Sequence, residues 1–343
     1  MTSFRRQQFE QLWAAFDAYV DDEVTVQQDL CIGELSVSLT IRGQELSRIV
    51  LSPLRRRWVS GNHASAQIRV WSGPLPRGHH APTELRLLDP GKVAPDAGQH
   101  EEHITAMYAP EAVTYMLWDS QRQRGIYWIE ELNRLPYWEQ SAPLIHLFHW
   151  LNADHGVALV HAAAVGRNGK GLLIVGPGGT GKSTSAIACL AAGWEYVSDD
   201  YSLLGGSHPP RAINLFGVGK LLPNSLEYFP ELHQEIVAVR GDDDKSIFDF
   251  TQNYGNQVVD SLELVGVVLP QLGSEPQGPR NISRLSAAVA LMPSTVFQLR
   301  TVKALAMHQI SETLRSLPSY AITFGPDRTQ APNQLGALLD ELS

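Results

Sequence analysis

Between residues 171 and 192 the chain reads as an apolar strand, a glycine-rich loop and a helix, and the loop constrains the fold more than any other segment. Gly176-Pro177-Gly178-Gly179-Thr180-Gly181-Lys182-Ser183 fits the pattern G-x-x-x-x-G-K-[ST], in which successive backbone N–H groups turn inward to cradle phosphate oxygens. A Cβ would obstruct that path, so the backbone itself requires the glycines. Gly171-Leu172-Leu173-Ile174-Val175 before the loop is an unbroken apolar run, the pattern of a buried strand. Ser183 to Ala192 after it reads as a helix, stopped at Gly193. In this frame Gly176, Gly178, Gly179, Thr180 and Gly181 form the cradle, and Thr184 follows in the first helical turn. Lys182 is expected to reach the β- and γ-phosphates and Ser183 to offer its hydroxyl to Mg²⁺. The ligand this pattern predicts is a nucleoside triphosphate with Mg²⁺.

Two flanking segments sharpen the expectation. Seventeen positions after Lys182 stands Asp199, followed by Asp200, in Tyr196-Val197-Ser198-Asp199-Asp200-Tyr201-Ser202-Leu203-Leu204. A strand that delivers two carboxylates beside a phosphate-binding loop suits metal binding and proton abstraction. Fifteen positions before Gly176 stands His161, in the apolar run Leu159 to Val165. Gly166-Arg167-Asn168-Gly169-Lys170 turns that run back into the loop's own strand as a hairpin. Most chains with this loop bring in the neighbouring strand through a helical crossover, so the hairpin is distinctive.

With these elements in view the chain resembles the HPr kinase/phosphorylase family and, more distantly, the ATP-dependent phosphoenolpyruvate carboxykinases. The resemblance rests on His161, the loop with Lys182 and Ser183, the Asp199-Asp200 pair and the intervals between them. It covers residues 155–205 well and the remainder to 343 loosely. It implies an α/β fold with a P-loop kinase core of the HPr-kinase/carboxykinase type, and transfer of a phosphoryl group to a serine hydroxyl. By the same resemblance Asp199 is the general base, His161 its neighbour, Lys182 and the loop amides the phosphate holders, and Ser183 with Asp200 the metal ligands. The sequence also departs from the bifunctional HPr enzymes. Thr184 stands where they carry an acidic residue, and their later Gly-rich signature is missing. More similar are HPr-kinase-like proteins with other targets, including kinases of ribosomally made peptide clusters, through Phe248 with its neighbours and the run Leu291 to Phe297.

The chemistry follows from the residues as well. A serine hydroxyl attacks phosphorus well only if its proton is accepted as the bond forms. An aspartate at hydrogen-bond distance does this, while lysine, Mg²⁺ and backbone donors neutralise charge. Adjacent residues on a strand face opposite sides, so Asp199 and Asp200 need not share a role unless the strand ends there and a turn aims both at the cleft. The bland alternative is that one of them caps the following turn. His161, among alanines, can equally be read as a core histidine.

With 343 residues the chain is long enough for two domains. Residues 4–20 read as an amphipathic helix with Phe9, Leu12, Trp13, Phe16 and Val20 on one face. Acidic Asp17, Asp21, Asp22 and Glu23 argue for packing on a core rather than on a membrane. Alternating segments at Leu35–Ile41, Ala66–Trp71, Glu84–Leu88, Ala112–Leu117 and Gly125–Glu130 make a β-rich region. The expected division is a β-rich N-terminal domain over 1–142 and the kinase domain over 143–343, opened by a helix from about Pro143 to Asn152. A net charge of −9 offers no affinity for nucleic-acid backbones. No run approaches membrane-spanning length, and the start lacks a signal-peptide pattern. Cys31 and Cys189 give no disulfide framework. The expectation is a cytoplasmic enzyme without nucleic-acid or membrane partners; oligomer formation stays open.

His146 and His149 lie on one face of the helix near 143–152, but Phe148 and Trp150 point to packing rather than a metal. His79, His80, His100 and His103 lie in polar loops and receive no role. Lys220, and Lys245 after the acidic run 241–244, are candidates to stabilise charge on a transferring phosphoryl. Leu262–Pro270 reads as a core strand, 273–281 as a loop and the likeliest disordered piece, 284–299 as a helix interrupted at Pro293, Tyr320–Phe324 as a last strand and Pro332–Leu342 as a final helix. The resulting expectation is an ATP-dependent kinase acting on a hydroxyl, with serine of a protein or peptide as partner. The alternatives are a small-molecule hydroxyl kinase or carboxykinase relative, and a nucleotide-sensing regulatory or adaptor protein without transfer.

Overall fold

The computed structural model describes residues 4–19, 24–61, 64–82, 103–206, 208–238, 245–299 and 304–343. The expected strand at Glu84–Leu88, Val20 to Glu23, His100 and the acidic run 241–244 lie outside the described residues, as does the side chain of Phe297. The architecture is mixed α/β, and the chain divides into two compact units, Met1–Asp154 and His155–Ser343.

In the first unit the strands are β1 (Thr25–Ile32), β2 (Leu35–Arg42), β3 (Trp58–Val59), β4 (Ala66–Ser72), β5 (Ile104–Ala109), β6 (Thr114–Asp119) and β7 (Arg124–Ile129). They form one sheet in the order β3-β1-β2-β4-β7-β6-β5. Helix α2 (Gln44–Leu51), which the alternation had not suggested, lies between β2 and β3; β2 then pairs parallel with β4. Helix α1 (Phe4–Asp17) lays Phe9, Leu12, Trp13 and Phe16 into a core with Trp71, Tyr115 and Trp128. Tyr115 stacks on Trp128 at 4.8 Å, so flat aromatic area does much of the burial here. The helix expected to open the second domain is α3 (Ile145–Asp154), and it packs against β6 in the first unit. Trp118 Nε1 donates to Asp154 Oδ2 at 2.8 Å. His149 is fully buried on α3, and among the described residues no group of three or more His, Cys, Asp or Glu side chains could hold a metal.

The second unit opens with β8 (Ala158–Val160), β9 (Ala163–Arg167) and β10 (Lys170–Ile174), then α4 (Lys182–Ala191). Next come β11 (Glu195–Ser198), β12 (Ser202–Gly205), β13 (Arg211–Ile213), β14 (Val218–Leu221), α5 (Pro223–Leu226), β15 (Ile236–Ala238) and β16 (Ser246–Asp249). The rest is β17 (Ser261–Leu272), β18 (Gln277–Asn281), α6 (Arg284–Leu299), α7 (Ala304–Ser316), β19 (Ser319–Phe324) and α8 (Ala331–Leu342). The main sheet runs β11-β9-β10-β17-β13-β12-β8, with β19 on β17 and β18 on β19; β14, β16 and β15 form a small separate sheet. The β9–β10 hairpin turns at Asn168 (φ 54°) and Gly169 (φ 77°), the two left-handed residues that a tight hairpin needs. β10 is antiparallel to β9 and parallel to β17. Leu172 and Ile174 of β10 join a core with Ala186, Ile187 and Leu190 of α4 and Leu335, Leu338 and Leu339 of α8. Helices α6 and α7 pack elsewhere on the unit's strands, α6 on β8 and β17, α7 on β8 and β12.

Three expectations are corrected. The run Leu159–Val165 is two strands, broken at His161-Ala162, because β8 pairs with β12 whereas β9 pairs with β10 and β11. Residues 277–281 are an edge strand rather than a loop; Pro279 is tolerated there because an edge leaves one row of N–H groups unused. Helix α6 continues through Pro293, since Pro293 and Val289 one turn earlier are exposed and water can satisfy the carbonyl that proline leaves free. Among the described residues no helix is long and apolar enough to cross a membrane.

Candidate functional site

Strand β10 ends at Ile174, α4 begins at Lys182, and residues 176–181 between them make a loop whose glycines carry the unusual backbone. Gly176, Gly179 and Gly181 have φ of 150°, 80° and 97°. A Cβ on Gly176 would come 2.9 Å from Thr180 Oγ1, so the loop closes too tightly on itself for a side chain. A Cβ on Gly178 or Gly179 would meet nothing within 4 Å, so no side chain covers the backbone at these two positions. Thr180 Oγ1 donates to Pro177 O at 2.9 Å and staples the loop. Lys182 is 6% exposed, and its ammonium donates to Gly176 O at 2.7 Å and Pro177 O at 3.0 Å. Burial pulls its pKa down to about 8, with the charge of Asp200 opposing the shift. Thr184 is half-buried in the first turn of α4.

The two carboxylates lie in the turn between β11, which ends at Ser198, and β12, which begins at Ser202. Ser198 and Ser202 hold that turn, both hydroxyls donating to Ala162 O, at 3.2 and 3.0 Å. Because the strand has ended, the alternation of faces no longer separates Asp199 from Asp200. Ser183 Oγ reaches Asp199 O at 3.4 Å, which brings the turn against the start of α4.

Asp199 is 2% exposed. Tyr196 OH donates to its Oδ1 at 2.9 Å and the Lys220 backbone N–H to its Oδ2 at 3.2 Å. Burial pushes its pKa up and the Asp200 charge adds to that, against the opposing pull of Lys220, Lys245 and the Tyr196 hydrogen bond. Asp200 is engaged differently. His161 Nε2 lies 2.8 Å from its Oδ1, and the Lys220 ammonium forms a close ion pair with its Oδ2. Burial favours its neutral form, but the Lys220 ammonium and then the His161 hydrogen bond outweigh burial and hold this carboxyl well below the usual range. One turn therefore presents two carboxyls driven in opposite directions, the arrangement that separates proton-accepting from charge-holding roles.

His161 sits at the β8–β9 break, where its backbone N–H donates to Thr295 Oγ1 of α6 at 3.1 Å. Its ring lies 5.5 Å from that of Tyr201, whose hydroxyl donates to Gln298 Oε1 at 2.8 Å. Sequence reasoning named His161, Lys182, Ser183, Asp199 and Asp200, and the fold brings all five together with Lys220. Lys245 acts on the same groups through its charge, lowering both Lys182 and Asp199. Tyr196 went without a role because the strand reading turned its side chain to an unknown face. It lies three positions before Asp199, and only the end of β11 at Ser198 lets the two meet. Thr295 lies in the run Leu291 to Phe297 that carries the resemblance, but neither it nor Gln298 receives a role from the sequence, since α6 is remote from the loop along the chain.

The donor set fits a nucleotide and its metal. The uncovered glycine backbone at the start of α4 and the buried Lys182 ammonium suit phosphate oxygens. A Mg²⁺ ion that keeps several waters and phosphate oxygens needs only one or two protein oxygens, and Ser183 Oγ with the ionised Asp200 offers them.

No protein-family model and no curated protein matches this sequence. Among solved structures, the chain is similar to the HPr(Ser) kinase/phosphatase from Coxiella burnetii at 14% identity, over 53% of this chain and 89% of that one, with a TM-score of 0.32. A likeness that slight supports no statement about activity.

Proposed function

We propose that the second unit is a P-loop kinase core of the HPr-kinase/carboxykinase type. In this reading the chain transfers the γ-phosphoryl group of ATP to a hydroxyl, with serine of a protein or peptide as the acceptor. The observation that carries the reading is the meeting of the Asp199-Asp200 turn with the glycine loop, through Ser183 and Asp199. Bound Mg·ATP supplies the γ-phosphoryl group, and its metal neutralises charge on it. The loop amides and the Lys182 ammonium hold the phosphates. Asp199, whose pKa burial raises, takes the acceptor hydroxyl's proton as the acceptor oxygen bonds to phosphorus and the bond from phosphorus to the β–γ bridging oxygen breaks. ADP leaves with the electron pair of that bond. Asp200 with Ser183 would hold the metal, His161 keeps Asp200 oriented, and Lys220, ion-paired with Asp200, would compensate charge on the phosphoryl.

Purified protein incubated with γ-labelled ATP, Mg²⁺ and cytosolic extract tests this. A labelled protein or peptide formed by wild type and absent with Asp199→Asn is the expected result; label in a small metabolite would move the acceptor class to small molecules. Both oxygens of Asp199 are bonded within the protein and the residue is almost fully buried, which favours a second reading, a nucleotide-sensing regulatory protein. Tight ATP binding with no transferred label, and partner binding that depends on ATP, would establish that reading instead.

A further inference from the structure

The carboxylate turn borders the glycine loop at Ser183, and the loop also touches an exposed leucine with no role so far. In the sheet, β11 and β9 lie on one side of β10 and β17 on the other. β10, β17 and β19 run parallel, so their C-terminal ends open on the same edge, where α/β sheets hold ligands. β17 ends at Leu272, which is 48% exposed. A Cβ built on Gly181 would lie 3.2 Å from Leu272 Cδ2, so this side chain rests directly on the last glycine before Lys182. β19 ends at Phe324, and the following turn folds back with the short helix Arg328–Gln330 packed against α4. Arg328 Nη1 donates to Phe324 O at 3.0 Å and holds that turn.

A nucleoside triphosphate is an extended ligand. If its γ-phosphate faces Asp199 and Asp200, its ribose and base extend away from that turn. We infer that Leu272 and the 325–330 turn form the seat of the nucleobase, Leu272 meeting one face of the planar ring by apolar contact. This rests on the nucleotide reading above. It also accounts for a large aliphatic side chain left half in water at the rim of a polar site, because the ring would remove that area from solvent. The loop glycine at 181 then serves twice, in the backbone turn and as room for Leu272.

Binding of ATP and of inorganic tripolyphosphate, both with Mg²⁺, to wild type and Leu272→Ser separates base contacts from phosphate contacts. The expected result is a loss of about five- to tenfold in ATP affinity with tripolyphosphate affinity unchanged. Leu272→Phe, which keeps an apolar face, is expected to bind ATP at least as tightly as wild type. Equal effects on both ligands in Leu272→Ser, or no effect on either, would overturn the nucleobase seat while leaving the phosphate site standing. Wild-type protein that binds neither ligand would overturn the nucleotide reading and the seat with it.

Discussion

Both units bury charge, but they distribute it differently. Among the described residues of the first unit, Asp119 and Glu139 are each held by a partner within the fold. Arg6 pairs with the fully buried Asp119, whose Oδ1 also accepts from the backbone N–H groups of Gln121 and Arg122. Tyr127 OH donates to Glu139 Oε2 at 2.9 Å. Each pair sits in the fabric of the sheet or its covering turn, and none adjoins an open glycine loop. In the second unit Lys182, Asp199, Asp200, His161 and Lys220 converge from four segments on one place beside such a loop. Closed pairs satisfy groups that the fold has desolvated. Convergent groups with opposed pKa shifts at a sheet edge are what chemistry requires. Buried charge marks a candidate site where it gathers against an opening rather than closing on itself.

Four experiments test this contrast. Lys182→Ala removes the loop's cation and should weaken ATP binding by about a hundredfold or more, read by calorimetry. Lys220→Met should lower phosphoryl transfer about tenfold to a hundredfold while ATP affinity changes little; a kinetic split into kcat and KM checks it. The pH dependence of ATP binding comes next. Without nucleotide Lys182 titrates at about 8, and phosphates favour its charged form. Binding above that pH therefore takes up a proton, and affinity falls as pH rises through 8, by about tenfold per unit at the limit. Calorimetry in buffers of different ionisation enthalpy measures the uptake.

The smallest effect belongs to the first unit. Glu139 is raised to about 7 by burial, partly opposed by the Tyr127 hydrogen bond. A carboxyl raised in the folded state stabilises the fold below its unfolded pKa, and that stability is lost as pH rises through about 7. Glu139→Gln should therefore stabilise the protein at pH 8, by on the order of 1–2 kcal/mol, and leave it unchanged near pH 4. Urea unfolding at the two values reads this, and transfer activity should not move.

The legibility of the two units differed for a related reason. The second unit announced itself through local chemistry. The glycine loop, the Asn168-Gly169 turn and the apolar run of β10 each dictate a backbone path within a few residues, and all three formed as read. In the first unit the strands at Leu35, Ala66 and Gly125 were visible by alternation, but α2 and β5 were not. Within the site, Asp199 and Asp200 were legible as a pair. Their different environments were not, because these depend on Tyr196 after a strand end and on Lys220 from β14. The loop reading of 277–281 failed because Gly278 and Pro279 argue locally against a strand that edge pairing with β19 nonetheless holds.

The central claim is a division of labour at the convergent site, with Lys182 and the loop holding the nucleotide and Asp199 taking the acceptor's proton. Single-turnover transfer from γ-labelled ATP, measured beside the ATP dissociation constant in Asp199→Asn, tests it most directly. The account predicts a dissociation constant within about threefold of wild type and transfer lowered by about a hundredfold or more. Transfer at the wild-type rate in this variant would contradict it.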